Sequence, residues 1–146
     1  MIAEAASFSE YLSVVPEAAA AGKCGAVLMH DITEGGILGA LWEVAEAGHT
    51  GIDIDRNTIP LREETARICE AFSVNPLRIM SSGSLLIVAK DGNAMARELQ
   101  KQGIPASVIG KTTEDKARIL RGTNTMMALT PPEPDELYTA LQNKKA

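Results

Sequence analysis

The sequence predicts an α+β fold, an α/β sandwich in which helices cover a mixed sheet of about five to six strands. Helical and strand-like segments alternate along the first two thirds of the chain. Three strand-like segments then follow one another before a last helical segment. A parallel doubly wound sheet would keep alternating to its end, so this order favours a mixed sheet. Because the 146 residues contain no internal linker, we expect residues 1–146 to form a single domain.

Helices are recognised by apolar residues three and four positions apart and by typical start and stop residues. Five segments qualify: residues 8–21, residues 36–47, a helix that opens at Pro60, a helix that Asp91 caps and that stops at Gly103, and residues 135–141. Within the first segment, Pro16 is expected to break the helix. Its predicted inner face carries Phe8, Tyr11, Leu12 and Val15, and that of the third helix carries Leu61, Thr65, Ile68, Cys69 and Phe72.

Strands are predicted where short runs are apolar throughout or alternate between apolar and polar residues. Six segments meet this description: residues 26–29, 52–55, 85–89, 105–109, 117–120 and 124–129. A polar turn at residues 112–116 is predicted to join the fourth strand to the fifth.

Composition excludes several classes of function. The net charge is −5 and only five residues are aromatic, so neither a basic surface nor a base-stacking platform for nucleic acid is expected. No apolar run reaches the roughly 18 residues of a membrane span, and the acidic N-terminus does not resemble a signal peptide. We therefore expect a cytoplasmic protein with neither membrane nor nucleic-acid partners. Cys24 and Cys69 fit packing roles, and no metal site is predicted.

The most informative segment lies between the first predicted strand and the second predicted helix. It places Asp31, Thr33, Gly35 and Gly36 in a loop that leads into a helix N-terminus. Free backbone N–H groups at such a start bind anions, and glycines allow a ligand to approach the backbone. Alternatively, Asp31 or Thr33 caps the helix and the glycines only turn the chain. The residues by themselves leave both interpretations open.

Three other residues are candidates for the same site. Ser82 and Gly83 precede the most apolar strand and could form a second wall of a cleft, or an ordinary turn. His30 directly precedes the loop, where it could act as a base or be a hydrogen-bonded structural residue. The two usual nucleotide-binding patterns, GxGxxG and GxxxxGK[ST], do not occur.

Four ordered motifs resemble the C-terminal domain of the AIR synthase-related family over about residues 11–130. This family includes aminoimidazole ribonucleotide synthase, selenophosphate synthase, thiamine-monophosphate kinase, formylglycinamidine ribonucleotide synthase and a carbamoyl dehydratase of hydrogenase maturation, whose branch is the most similar. The motifs are Asp31-x-Thr33-x-Gly35-Gly36-Ile37-Leu38, Gly51-Ile52-Asp53-Ile54 with Ile59-Pro60-Leu61-Arg62-Glu63-Glu64, Asn75-Pro76-Leu77 with Ser82-Gly83-Ser84-Leu85-Leu86, and Gly103-Ile104-Pro105-Ala106-Ser107-Val108-Ile109-Gly110.

The resemblance implies the C-terminal half of an ATP-dependent enzyme. ATP and Mg²⁺ are bound mainly by an N-terminal domain that we expect to be absent from this sequence. The C-terminal domain closes the cleft over nucleotide and substrate, with Asp31, Thr33, Gly35 and Gly36 lining it. The implied partners are that N-terminal domain and a second subunit, in a homodimer. The isolated chain is then expected to be inactive, and no catalytic residue is assigned.

Two departures from the hydrogenase-maturation branch affect the expected reaction. That branch carries the substrate group on a C-terminal cysteine, whereas this sequence ends with Ala146 and has no cysteine in its last residues. Glu34 also stands where that branch tends to have arginine. The alternative function is a free-standing, non-catalytic α+β module that binds a ligand or regulates a partner.

Overall fold

The elements of the fold follow one another in the predicted α and β order. The computed structural model describes residues 12–143, and this part of the chain has five helices and six strands, with short 3₁₀ helices at Arg56–Thr58 and Pro76–Arg78. In chain order they are α1 (Val15–Lys23), β1 (Ala26–Asp31), α2 (Gly36–Ala47), β2 (Gly51–Asp55), α3 (Glu63–Ala71), β3 (Leu85–Ala89), α4 (Gly92–Lys101), β4 (Gly110–Thr113), β5 (Arg118–Arg121), β6 (Met126–Ala128) and α5 (Glu136–Asn143).

The strands form two separate sheets. β1 and β3 make an antiparallel pair, and the other four strands form a sheet in the order β4-β2-β5-β6. β2 lies antiparallel to β4 and parallel to β5, so the larger sheet is mixed. The α+β fold class is therefore confirmed, with the six strands divided between two sheets.

Helix α2 packs against both sheets and supplies five of the eleven buried residues of the main core, more than any other element. Leu38, Leu41 and Val44 are each at most 7% exposed and contact the apolar side chains of the larger sheet. The core also includes Ile52, Ile54 and Leu120 from the larger sheet, Leu86 from the smaller sheet, and Ile32 and Leu77 from the connecting segments. Burying each such side chain stabilises the fold by roughly 1.5–3 kcal/mol before the cost of ordering it.

Two smaller apolar clusters attach the remaining helices. Ala20 and Ala21 of α1 contact Met95 and Leu99 of α4 over the face of β3 that points away from α2. The other cluster joins α3 to α5 and contains Cys69, Val74 and Ala140. Within the described residues, no helix combines the length and apolarity that a membrane span requires.

Several predicted elements are confirmed with little change. α2 and β3 have the bounds that the sequence predicts, and Gly48 follows α2. Asp91 caps α4 by accepting a hydrogen bond from the Ala94 N–H at 2.9 Å. Gly103, which has a positive φ of 78°, follows the end of that helix.

The first and third predicted helices differ from expectation. Pro16 lies in the first turn of α1, where its fixed φ suits the start of a helix, and residues 12–14 before it are not helical, so α1 begins close to the predicted break. Leu12 and Val15 are exposed, and residues 8–11 of the predicted segment lie outside the described residues. In α3 only Cys69 of the predicted inner face is buried, because the helix packs along a narrow contact with α5.

The predicted strand at residues 105–109 is also wrong. Residues 105–109 are not a strand, and their one backbone hydrogen bond to a strand is from the Asp55 N–H to the Ile109 carbonyl at 2.8 Å, within the described residues. The ladder with β2 begins at Gly110, where a Cβ atom would lie 2.3 Å from the Asp53 carbonyl oxygen. Gln100 donates a side-chain hydrogen bond to the Ala106 carbonyl at 2.8 Å, which satisfies part of the unpaired backbone.

β4 and β5 are joined in sequence as predicted, but they do not pair with each other. The connection crosses the first residue of β2, so that one strand lies on each side of it. At Gly51 a Cβ atom would lie 2.3 Å from the Asp115 carbonyl oxygen and 2.5 Å from that of Ala117. Only glycine at position 51 leaves room for this crossing. Because the β4–β5 connection can pass over Gly51, β2 lies between β4 and β5 in the sheet.

Replacing Gly51 with alanine should therefore destabilise the fold by about 3 kcal/mol, because the crossing backbone must move. Gly22→Ala is the matched control, since nothing lies within 4 Å of a Cβ there and α1 gains helix propensity. It should be neutral or stabilise by up to about 1 kcal/mol. Urea unfolding of both variants measures the difference, and equal midpoints would contradict the role assigned to Gly51.

Candidate functional site

Two loops meet at one end of the two-stranded sheet. We call residues 31–36 the Asp31 loop and residues 81–84 the Ser82 turn. The ladder pairs Asp31 with Leu85, and beyond it the Ile32 N–H donates to the Ser84 carbonyl at 3.0 Å. The Ser81 N–H in turn donates to the Ile32 carbonyl at 3.3 Å. The two segments that the sequence suggested for one cleft are thus direct neighbours in the fold.

The Asp31 carboxylate is exposed and has capacity for a ligand. Within residues 12–143, no hydrogen bond or ion pair engages it. Thr33 is half-buried beside it, and Ser82 and Gly83 are exposed. The N-cap of α2 is Gly35, which has no capping side chain. The alternative in which Asp31 or Thr33 caps this helix is therefore wrong.

Gly35 and Gly36 are buried against the chain's own backbone. Both have a positive φ, 77° and 62° respectively, which favours glycine. A Cβ atom at Gly36 would lie 2.6 Å from the carbonyl oxygens of Leu77 and Ile79. Gly36 therefore allows residues 77–79 to pass close to the start of α2, and the exposed part of the Asp31 loop lies before the two glycines.

The carboxylate of Asp135 holds both loops in place. It is only 3% exposed, and its Oδ2 atom accepts hydrogen bonds from the Gly35 N–H at 3.0 Å and the Met80 N–H at 2.6 Å. Its Oδ1 atom accepts from the Leu137 N–H at 2.9 Å. The negative charge also lies at the positive end of the α2 dipole. Asp135 thus connects the Asp31 loop, the segment before the Ser82 turn, and α5.

Sequence reasoning missed Asp135 as a site-supporting residue. The sequence marks it only as the start of the last helix, which is one of its roles. Its partner Gly35 is 100 residues earlier in the chain, and no local pattern reports such a contact. The available signal was Pro134 followed by Asp135, an acid at a helix start in a segment rich in proline.

The two loops provide no positive side chain for a phosphate. Residues 31–36 and 81–84 contain two acids, Asp31 and Glu34, and no lysine, arginine or histidine. One N–H at the start of α2 is already used by the Asp135 carboxylate. The arrangement suits a ligand hydroxyl, an ammonium group or metal-bound water, and it does not fit direct binding of a triphosphate. Among residues 12–143, no three His, Cys, Asp or Glu side chains cluster as metal ligands.

His30 is held by two hydrogen-bond partners. Its Nε2 atom lies 2.9 Å from Oε2 of Glu43 on α2, and its Nδ1 atom lies 2.5 Å from the Asp31 carbonyl oxygen. Both partner atoms are acceptors, so the ring serves to join β1 to α2. These contacts favour the structural interpretation of His30 over a role as a base.

Neither cysteine belongs to the site. Cys24 is half-buried and Cys69 is buried, and both are free thiols. Burial raises the pKa of the Cys69 thiol, and the nearby Glu136 carboxylate raises it further. A thiol with a raised pKa is a poor nucleophile, which agrees with the packing role that the sequence predicts for Cys69.

Residues 3–122 match the model of a known family, described as AIR synthase related protein, C-terminal domain. The chain belongs to this family. The family-level resemblance of the motifs, including the similarity to the hydrogenase-maturation branch, is thereby confirmed.

Two curated relatives represent two branches of the family. The carbamoyl dehydratase HypE of Rhizobium leguminosarum bv. viciae is 34% identical over 106 residues, which cover 70% of this chain and 30% of the relative. A phosphoribosylformylglycinamidine synthase subunit, PurL of Methanopyrus kandleri, is 33% identical over 108 residues, or 70% of this chain and 14% of the relative. The chain thus spans less than a third of each of these proteins.

Solved structures show the same fold. The crystal structure of E. coli HypE, a hydrogenase maturation protein, is 27% identical with a TM-score of 0.66, over 75% of this chain and 37% of that one. A structure of a HypE in complex with ATP is 20% identical, with a TM-score of 0.64 over 74% of this chain and 36% of that one. The second likeness supports the fold alone.

Asp135→Asn should destabilise the protein by about 3 kcal/mol. The amide has one acceptor oxygen in place of two, so at least one of the N–H groups of Gly35, Met80 and Leu137 is left in a buried position without an acceptor. Asp91→Asn is the matched control, because Asn caps a helix about as well as Asp, and it should change stability by a few tenths of a kcal/mol. Chemical unfolding measures both variants. Equal stability would show that Asp135 does not hold the loops.

Proposed function

We propose that this chain is the C-terminal domain of an ATP-dependent enzyme, and that the Asp31 loop and the Ser82 turn form its wall of the substrate cleft. The observation that carries this proposal is the exposed Asp31 carboxylate, which has no partner within the described residues and lies beside the exposed Ser82 turn. The buried glycines and the buried Asp135 carboxylate hold this loop in a fixed geometry, which is the kind of support that a binding site requires.

The side chains of these loops suggest that this domain contacts the substrate and that a second domain binds the phosphates of ATP. Asp31 would orient a polar substrate group or a water bound to Mg²⁺, and Thr33 and Ser82 would contribute hydroxyl groups. Because the loops lack positive charge, the phosphates of ATP would be held by the N-terminal domain together with Mg²⁺. When bound, ATP would activate an oxygen of the acceptor by phosphorylation.

An exposed apolar face supports the proposed partner domain. Val27 and Met29 alternate with half-buried residues along β1 and are 65% and 40% exposed. Among residues 12–143 no further strand lies beside β1, and such an exposed apolar face suits contact with another domain or subunit. We propose the N-terminal domain of the same protein as this partner, in an enzyme that is a homodimer.

Mg-ATP should bind the isolated chain only weakly, because the cleft wall has acids and no basic side chain. Calorimetric titration is expected to give a dissociation constant well above about 100 μM. A value near 1 μM, about −8 kcal/mol, would contradict the assignment of the nucleotide to another domain.

Asp31→Asn should lower turnover of the enzyme that contains this domain by about 100-fold, roughly 2.7 kcal/mol of transition-state stabilisation. The melting temperature should hardly change, because the Asp31 carboxylate has no structural partner within residues 12–143. The remote Asp91→Asn variant should keep wild-type turnover. If Asp31→Asn also keeps it, the Asp31 loop is not part of the cleft.

A further inference from the structure

A second polar pocket lies away from the Asp31 loop, where β2 ends in the larger sheet. It has a volume of about 600 Å³. Its lining includes four charged side chains and two exposed apolar or hydroxyl groups: Asp53, Asp55, Lys111, Arg121, Val108 and Thr123. The proposed function does not use this pocket, and neither motif matching nor periodicity identified it.

The strand register explains why the four charges share one face of the sheet. Ile52 and Ile54 are buried against α2, so the alternating residues Asp53 and Asp55 point to the opposite face. Lys111 of β4 pairs with Asp53, and Arg121 of β5 pairs with Asp55. Residues directly opposite each other in a sheet share a face. The central strand therefore carries two acids, and each flanking strand carries one base.

Asp53 and Arg121 neutralise each other. Arg121 donates to both carboxylate oxygens of Asp53, from Nε at 2.6 Å and from Nη2 at 3.0 Å. Hydrogen bonding from Arg121 lowers the pKa of the Asp53 carboxyl and exceeds the opposing effect of desolvation, and the positive charges of Arg121 and Lys111 lower it further. A bidentate pair of this kind has little capacity left for a ligand charge.

Asp55 and Lys111 keep their charges available. Within residues 12–143, neither forms an ion pair, and the Asp55 carboxylate accepts only the Asn57 N–H, at 2.9 Å through Oδ1. Because Lys111 pairs with Asp53, Lys111 and Asp55 are diagonal neighbours on one face, a relation that places two residues about 7–8 Å apart and their Cβ atoms somewhat closer. Val108, which is 38% exposed, lies in the same pocket and offers an apolar contact.

We propose that this pocket binds a small zwitterion with an apolar side chain, of the α-amino acid class. Its ammonium group lies at Asp55, its carboxylate at Lys111 and its side chain against Val108. Asp55 repels a ligand that carries only a negative charge, and Lys111 repels one that carries only a positive charge. Tight binding therefore requires the ammonium group and the carboxylate in the same ligand. This site is independent of the proposed cleft and would remain if the Asp31 loop proved inactive.

The test is an NMR titration of the ¹⁵N-labelled 146-residue chain with L-leucine. Saturable shifts are expected at the amides of Thr58, Lys111 and Thr123, which line the pocket. 4-Methylpentanoate lacks the ammonium group and 3-methylbutylamine lacks the carboxylate. Each should bind at least tenfold more weakly than L-leucine. Equal binding of either half-ligand, or no saturable shift with L-leucine up to about 50 mM, would overturn the proposal.

Two isosteric variants assign the roles of the charges. Lys111→Met and Asp55→Asn should each weaken L-leucine binding at least tenfold, while Asn keeps the hydrogen bond to the Asn57 N–H. Lys116→Met and Glu114→Gln are the matched controls, because each removes one positive or one negative charge from a nearby exposed turn outside the pocket lining. Both should bind L-leucine like the wild type. Unchanged ¹⁵N spectra before titration establish that the variants are folded. Wild-type affinity in Lys111→Met or Asp55→Asn would also overturn the proposal.

Discussion

The burial of α2 against both sheets is the constraint on which the rest of the fold depends. Its apolar residues meet Ile52, Ile54 and Leu120 of the larger sheet and Leu86 of the smaller one. This helix holds the two sheets relative to each other, since within residues 12–143 no strand of one sheet pairs with a strand of the other. The Arg118 guanidinium of β5 lies 4.8 Å from the centre of the Trp42 ring and pairs with Glu46, and both contacts anchor α2 to the larger sheet.

A helix so deeply buried needs partners for its N-terminal N–H groups, and the chain supplies one from its distant end. Asp135 is the one charged side chain among the buried residues in the described part of the chain. Burying a carboxylate costs several kcal/mol unless hydrogen bonds and favourable dipoles compensate, and here three N–H groups and the α2 dipole do so. The same contacts fix the Asp31 loop and the Ser82 turn, so stability and the shape of the candidate site have a common origin.

Local pattern predicted the elements well and their partners less well. α2, β3 and the cap of α4 could be predicted because periodicity and capping chemistry are properties of neighbouring residues. The inner face of α3 could not, because an amphipathic pattern does not reveal how narrow the opposing surface is. The Asp31 loop was identified from its residues, but its support by Asp135 and the insertion of β2 between β4 and β5 depend on contacts over long sequence separations.

Both candidate binding regions lie where folding has satisfied one charged group and left its neighbour available. Asp135 satisfies the backbone of the Asp31 loop, so Asp31 is not needed as a cap. Arg121 pairs with Asp53, so Asp53 does not require Lys111 as an ion-pair partner and Asp55 does not have Arg121 as one. The carboxylates of Asp135 and Asp53 are engaged by hydrogen bonds or an ion pair within the fold. The carboxylates of Asp31 and Asp55 form no ion pair within the described residues and stay accessible to a ligand. Both proposed binding sites therefore depend on charged side chains that neither the backbone hydrogen bonds nor the ion pairs of the fold require.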